Sequence, residues 1–414
     1  MRLADAEPIA RSLVEYLGSL DGVKQVEVAG SYRRRRETVG DLDVLVTAAR
    51  GAKPMPPIVR YDEVADVDAQ GSTRATLRLR NGLQVDVRVV PAAAFGAALH
   101  YFTGSKAHNI AVRRLAQARG LKLSEYGLFR KDKRVGGRTE TEVYSAVDLP
   151  WIAPELREDR GEIDAARRGT LPKLLRLEDL RGDLHCHSRA TDGHDTILGL
   201  ARGGAARGYE YLSINDHSRH VTVAHGLDRR RLLEQVRAID KVNAKLDGFT
   251  VLKSVEVDIL EDGRLDLPDD VLKELDFTVC AIHYGFGYGR AKLTSRILRA
   301  MDNPHFSILA HPTGRLINAR EPLQLDLERV LEAARERGRV LEVNAQPERL
   351  DLDDRACRLA KEIGVQLAVS TDAHRIADLD LMRHGVDQAR RGWIEASDVV
   401  NTRPLKELLK LLRP

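Results

Sequence analysis

The sequence predicts a multidomain α/β chain: a small mixed sheet with helices, followed by a seven-stranded (β/α)7 barrel. Three observations carry that expectation. Apolar–polar alternation of period two recurs through the first hundred residues, at "KQVEVAG", "DLDVLVT", "ATLRLR" and "LQVDVRVV". Seven apolar runs, largely separated by helical patterns, follow Arg181. Eleven of the 13 histidines lie after residue 180, most of them just past those runs.

Length and composition set the outer bounds. A chain of 414 residues exceeds one ordinary domain and suits two or three. With 43% hydrophobic and 31% charged residues it reads as soluble and globular. No apolar run approaches the roughly 20 residues that span a bilayer, which excludes a membrane partner. The first residues, "MRLADAEPIARSLVEYLGSL", carry acids early in an amphipathic helical period and do not read as a signal peptide. Cys186, Cys280 and Cys357 lie far apart without metal-ligand spacing, as in a reducing compartment. A cytoplasmic protein is expected. The net charge of +4 conceals an asymmetry, because residues 1–150 hold 24 Lys+Arg against 18 Asp+Glu, leaving −2 for the rest. Residues 101–138 hold ten basic and two acidic residues, a candidate footprint for nucleic acid or simply a solvated basic face.

The elements follow in order. A helix is expected over Glu7–Leu20, packed on the mixed sheet, with the Pro-rich "AKPMPPIVR" as a loop. Residues 101–150 mix short helices with turns and hold the basic cluster. Prolines and charges in "LPWIAPELREDRGEIDAARRGTLPKLL" mark a connecting segment. The expected divisions are therefore 1–100, 101–150, a linker at 151–180, and a barrel over 181–414. The barrel runs are "GDLHCH", "YEYLSINDH", "FTVLKSVEVDIL", "DFTVCAIH", "FSILAH", "RVLEVNA" and "VQLAVSTDAH".

The stretch "GSYRRRRETVGDLDV" sets four arginines before two spaced aspartates. Strand alternation puts Asp41 and Asp43 on one face, and Asp86 on the polar face of another strand. Three converging carboxylates would hold two Mg²⁺ ions, which share their shell with substrate phosphates. Guanidinium groups would then match a triphosphate, and Gly30 and Gly40 would admit its close approach. Solvated acids beside an exposed basic turn satisfy the same spacing.

The barrel runs end in a different chemistry. The first closes on His185 and His187, with Asp192 in the next loop; the second closes on Asp216 and His217. Glu256 lies in the third, and the fourth, fifth and seventh end in His283, His311, and Asp372 with His374. Catalytic residues of such barrels gather at the C-terminal strand ends. Imidazole and carboxylate without thiolate is a ligand set for zinc, manganese or iron(II). Nine candidate ligands exceed the needs of one ion, so two or three ions are implied, an arrangement that suits phosphoryl displacement.

These motifs carry resemblances. "DLHCHS…TDG", "NDHS", "EVDIL", "AIH", "AHPTGRLI" and "STDAH" are similar to the polymerase-and-histidinol-phosphatase (PHP) domain. The resemblance implies a trinuclear site holding Mn²⁺ and/or Zn²⁺. His185, His187, Glu256 and Asp372 would surround one ion, Glu256, His283 and His311 a second, and Asp192, His217 and His374 a third. His194, His220 and His225 fall outside that pattern, as rim or surface residues.

"GSYRRRRETVGDLDVLV" and "YFTGSKAHNIAVR" resemble the nucleotidyltransferase palm and thumb of bacterial-type family X DNA polymerases. That resemblance makes Asp41, Asp43 and Asp86 the catalytic Mg²⁺ ligands, with Gly30, Ser31, Arg34 and Gly40 at the triphosphate. Tyr101, Phe102 and Gly104 would pack on the incoming sugar, with Asn109 and Arg113 near the nascent pair and template. Family members carry a lyase-like domain and a helix-hairpin-helix region before the palm, whereas here the palm begins almost at Met1. The implied function is DNA repair: template-directed polymerisation from deoxynucleoside triphosphates on primer–template DNA, weakened without those domains, plus 3′→5′ exonuclease action on DNA 3′ ends, by a monomer. The alternative is a histidinol-phosphatase-like small-molecule phosphoesterase with a degenerate nucleotide-binding half.

Overall fold

The computed structural model describes residues 1–412, which form two compact units, Met1–Leu171 and Pro172 onward. Among the described residues no helix is long and apolar enough to cross a membrane.

In the first unit, α1 (Leu3–Ser19) buries Leu3, Ala6, Ala10, Leu13 and Leu17, the spacing of one helical face. It starts four residues before the expected helix, with Pro8 tolerated in its early turns. Strands β1 (Val23–Val28), β2 (Asp41–Ala48), β3 (Val64–Gln70), β4 (Arg74–Leu79) and β5 (Gln84–Val89) form one sheet in the order β1-β2-β5-β4-β3. Only β2 and β5 run parallel, so the sheet is mixed as expected. Leu42, Val44 and Val46 of β2 join Leu77, Val85, Val87 and Leu13 and Leu17 of α1 in the core. The opposite face of β2 carries Asp41, Asp43 and Leu45. Leu45 packs under α4 (Phe95–Thr103) with Phe95, Ala98 and Leu99.

Three elements depart from expectation. One-turn helix α2 (Gly30–Arg33) follows β1. The Pro-rich stretch expected as a loop forms α3 (Met55–Ile58), because Met55 and Ile58 bury themselves in the core. Strand β3 escapes pattern reading because its side chains are almost all exposed; it is an edge strand held through backbone pairing with β4 and guarded by Asp66 and Asp68. Beyond α4, which runs unbroken through residue 100, come α5 (Lys106–Ala118) and a small antiparallel sheet. Its strands are β6 (Lys122–Ser124), β7 (Gly127–Arg130) and β8 (Lys133–Gly136).

The second unit repeats strand and helix. Strands β9 (Gly182–Asp183), β10 (Tyr211–Ile214) and β11 (Thr250–Lys253) form one parallel set. A second set comprises β12 (Glu256–Asp258), β13 (Val279–Ala281), β14 (Ile308–Leu309), β15 (Val340–Asn344) and β16 (Leu367–Ser370). The expected third strand is thus two strands, interrupted at Ser254–Val255. The pairing of Ile214 with Lys253 resumes in the same register at His217 and Glu256. The last strand returns to the first through a parallel bridge between Cys186 and Ala373, where His187 N donates to Ala373 O at 2.8 Å. Helices such as Arg229–Asn243 and Leu327–Glu336 lie between strands, the first capped by Asp228 accepting from Arg231 N. One apolar cluster gathers Leu184, Tyr211, Leu252, Val279, Ile308, Val340 and Ala368 from successive runs, with Leu408 and Leu412 of the final helix. The three cysteines are buried and unpaired.

Candidate metal centres

In the first unit, parallel register sets Asp43 directly opposite Asp86, with Asp41 two residues back on the same face. Thr76 Oγ1 donates to Asp86 Oδ1 at 2.6 Å and Gln84 Nε2 to Oδ2 at 2.7 Å, fixing that carboxylate. Burial, then the charges of Asp41 and Asp86, push Asp43 up to about 7 against the pull of Arg88 and Arg34. The three carboxylates are neighbours, although their oxygens do not converge as a set within 4.8 Å of one another.

Gly30 is required by this packing. Its φ is +65°, and a Cβ there would lie 2.5 Å from Asp43 Oδ2. Gly40 has no such need, since a Cβ would meet nothing within 4 Å. Half-buried Ser31 lies in α2.

The arginine run is largely structural in this state. Arg33 reaches both oxygens of Glu140 at 2.8 and 2.9 Å, and fully buried Arg157 reaches the same carboxylate at 2.5 and 3.1 Å. Arg34, expected at the triphosphate, donates to Glu158 Oε1 at 3.1 Å and to Thr103 O. Gly104 stands beside it, its φ of +70° leaving a built Cβ 3.1 Å from Arg34 Nη1. Tyr101 and Phe102 meet edge to face at 5.0 Å, and Arg88 of β5 lies 4.5 Å over the Phe102 ring. Asn109 Nδ2 donates to Tyr101 O at 2.6 Å, and Arg113 lies 5.9 Å from the Tyr101 ring centre. Sugar-side and template-side candidates thus form one cluster around Tyr101.

The second unit brings all nine barrel candidates into one cage. His187 Nε2 lies 3.1 Å from both His185 Nε2 and Asp372 Oδ1. Glu256 sits centrally: its Oε2 is 2.8 Å from His217 Nδ1 and 3.6 Å from His185 Nε2, and its Oε1 is 3.0 Å from His311 and 3.3 Å from His283. Asp192 Oδ2 approaches His217 at 3.1 Å and His374 at 3.4 Å. Ligand atoms fall within 4.8 Å of one another in three groups: His185, His187 and Asp372; His217, Glu256 and His283; and His187, Asp192, His217 and His374. Relative to the resemblance-based sets, His217 joins the Glu256 group and His187 the Asp192 group, while Glu256 falls outside the His185 group and His311 outside the Glu256 group. His194, His220 and His225 are exposed.

Electrostatics suit cations. Burial opposes charge on His217, yet Glu256 and Asp192 push it up to about 10. Glu256 and Asp258 likewise overcome burial to raise His283 to about 9, and Asp192 with Asp372 raise His374 to about 9. His187 goes the other way, down to about 4, through burial and the neighbouring His217. Its Nδ1 is buried without a hydrogen-bond partner. Protons on imidazoles occupy a field that buried acids maintain, and the donor set fits hard or borderline divalent ions.

Some supporting residues escaped sequence reading. Glu342 Oε1 takes His185 Nδ1 at 2.8 Å and its Oε2 accepts His311 N at 2.7 Å; Asp258 Oδ1 takes His283 Nδ1 at 2.9 Å. Asn344 Nδ2 donates to Asp372 Oδ2 at 3.1 Å. The available signal was a charged residue inside an apolar strand, as in "VLEVN" and two positions past Glu256 in "EVD".

The comparisons with known proteins agree with this division. The DNA polymerase beta palm family model matches residues 4–86, and the DNA polymerase beta thumb model matches 98–158. A probable phosphatase of Thermoanaerobacter sp. is 30% identical over 243 residues, covering 55% of this chain and 94% of its own length. The DNA polymerase/3'-5' exonuclease PolX of Bacillus subtilis is 39% identical over 411 residues, 98% of this chain and 71% of that protein. Likeness sustained through both units, with the polymerase beta palm and thumb matched in order, places the chain by descent as well as by geometry: it belongs to the PolX family of DNA polymerases with an exonuclease-bearing PHP domain.

Proposed function

We propose that this chain is a DNA repair enzyme that extends a DNA 3′ end at the Asp41–Asp43–Asp86 cluster and removes nucleotides 3′→5′ at the imidazole cage. Palm and thumb occupy residues 1–100 and 101–150, residues 151–180 connect, and the PHP barrel takes 181–414. The enzyme works as a cytoplasmic monomer on DNA and deoxynucleoside triphosphates. The observation that carries the reading is the coexistence of two separate centres of different donor chemistry: carboxylates on a mixed sheet, and an imidazole-rich cage at strand ends.

At the first centre Asp41, Asp43 and Asp86 would hold two Mg²⁺ ions, with Asp86 serving the one nearest the primer. Such ions would supply acidification of the 3′-hydroxyl and charge neutralisation for the departing pyrophosphate. The chain's own residues orient. Thr76 and Gln84 aim Asp86, and Gly30 lets α2 approach Asp43. Arg34 stands beside Gly104, where a triphosphate competes with Glu158 for its guanidinium. The Tyr101–Phe102 wall supports the sugar.

At the second centre the nine residues would hold Mn²⁺ and/or Zn²⁺. Ions held there would supply activation of water and charge stabilisation for in-line hydrolysis. Glu342 and Asp258 hold one nitrogen of His185 and of His283, turning the other toward Glu256.

One labelled primer–template, followed for extension and shortening in Mg²⁺ and in Mn²⁺, tests both halves. Asp43→Ala should abolish extension alone, and His187→Ala shortening alone. Turnover of histidinol phosphate with no action on DNA would replace this reading with a small-molecule phosphoesterase.

A further inference from the structure

An open cavity of about 620 Å³ lies on segments that leave the cage's ligands. The rings of His217 and His283 meet edge to face at 5.1 Å within the cage. Three and one residues farther along the same two segments, His220 and Tyr284 meet the same way at 4.9 Å, and both line the cavity. Two walls of the cavity are thus carried by the same segments that carry His217 and His283.

That wall is aromatic and braced by internal contacts. Tyr284 is 39% exposed. Buried Arg296 donates to Tyr284 O at 2.7 Å and to Ile259 O and Leu260 O at 3.0 and 2.9 Å, which ties the two loops together. Gly285 has a φ of +78°, and a Cβ there would lie 2.6 Å from Tyr288 Cε2, so only glycine lets Tyr288 fold back against the turn. Lys292 lies 3.6 Å over the Tyr288 ring and pairs with Glu261, while Arg264 pairs with Asp262 at 2.7 Å. The cations are thus matched by neighbouring acids or spent on carbonyls. The exposed Tyr284 ring in such a wall offers a platform for a flat heterocycle.

We propose that this cavity receives the base of the 3′-terminal nucleotide being released, stacked on Tyr284, while its phosphodiester lies at the cage. The inference rests on the nuclease reading above and adds how the end is gripped. Every base has a π-face, so the grip is tolerant of sequence. A terminal base must leave its duplex stack to enter, so single-stranded or frayed ends are preferred.

The test compares single-stranded oligonucleotides ending in an ordinary nucleotide or in an abasic residue, degraded with Mn²⁺. Wild type should lose about tenfold in kcat/KM when the terminal base is missing, the scale of one base stacked on an aromatic ring. Tyr284→Ala should lose about the same on the ordinary end, mainly through KM, with the abasic end unaffected. Tyr284→Phe should behave as wild type. A Tyr284→Ala protein that keeps the wild-type discrimination overturns the proposal. If wild type degrades neither substrate, the nuclease reading fails, and fluorescence anisotropy of the same labelled oligonucleotides decides the pocket: tighter binding of the ordinary end by wild type alone supports it, and equal binding of both ends overturns it.

Discussion

His185 Nδ1 lies 2.8 Å from Glu342 Oε1, and neither side chain reaches solvent. The contact leaves Nε2 as the nitrogen that faces His187, Glu256 and Asp372. An acid behind an imidazole sets the ring's tautomer and raises its basicity as a ligand. Glu342→Gln should therefore weaken Mn²⁺ binding at the cage about 10–100-fold, the usual effect of losing such a supporting acid. Competition titration against a metal-sensitive dye reads this, and unchanged affinity would show that Glu342 only fills space.

Gly30 tests the first centre without replacing a ligand. A methyl group there must displace Asp43 Oδ2 and adopt a φ of +65°, a strain of roughly 1–3 kcal/mol. Gly30→Ala should cut primer extension at least tenfold and leave 3′→5′ shortening unaltered. Loss of both activities would point to misfolding, which a thermal melt distinguishes.

Glu140 is shared by Arg33 and by Arg157, which is wholly buried. Burial opposes its charge, but bonds from Arg33 and Arg157 hold its carboxyl well below the usual range. Glu140→Gln leaves a buried guanidinium without its counter-charge and should cost about 3–5 kcal/mol, read as a fall in the urea midpoint. A loss under about 1 kcal/mol would mean that Arg157 finds another partner.

Acid should destabilise the first unit from near-neutral pH downward. Burial, then Arg157 and His108, hold His100 well below 6.5, and neither ring nitrogen has a hydrogen-bond partner. Burial also lowers His108, against the pull of Glu162. The unfolded chain takes up these protons as pH drops through about 6.5 while the folded unit does not. The contribution of these two histidines is thus complete above about 6.5 and falls below it, by up to about 1.4 kcal/mol per pH unit for each group, while Asp43, raised to about 7, offsets one of them over the same range. Replacing His100 with Leu should flatten that limb by one group; chemical denaturation at pH 7.5 and 5.5 measures it.

Much of this molecule was legible in its letters because the signals are local. Alternation of period two marks β1, β2, β4 and β5, and it alone puts Asp41 and Asp43 on one face. The cage histidines stand out because they lie at the ends of short apolar runs, where strand ends share one rim. Strand β3 was missed because an exposed edge strand needs no apolar side chain to pair its backbone. Glu342 was missed because the run that carries it ends without a histidine.

Residue type and spacing, set by backbone geometry over a few neighbours, thus named the candidate ligands and the strands that hold them. Which groups stand behind them depended on contacts between distant parts of the chain. The register that faces Asp43 with Asp86, the meeting of Arg33 with Glu140 across 107 positions, and that of His185 with Glu342 across 157 are all of this kind. No short window of sequence encodes such pairings. They arise when a folded interior must satisfy every charge it buries, and only the assembled fold determines which partner is within reach.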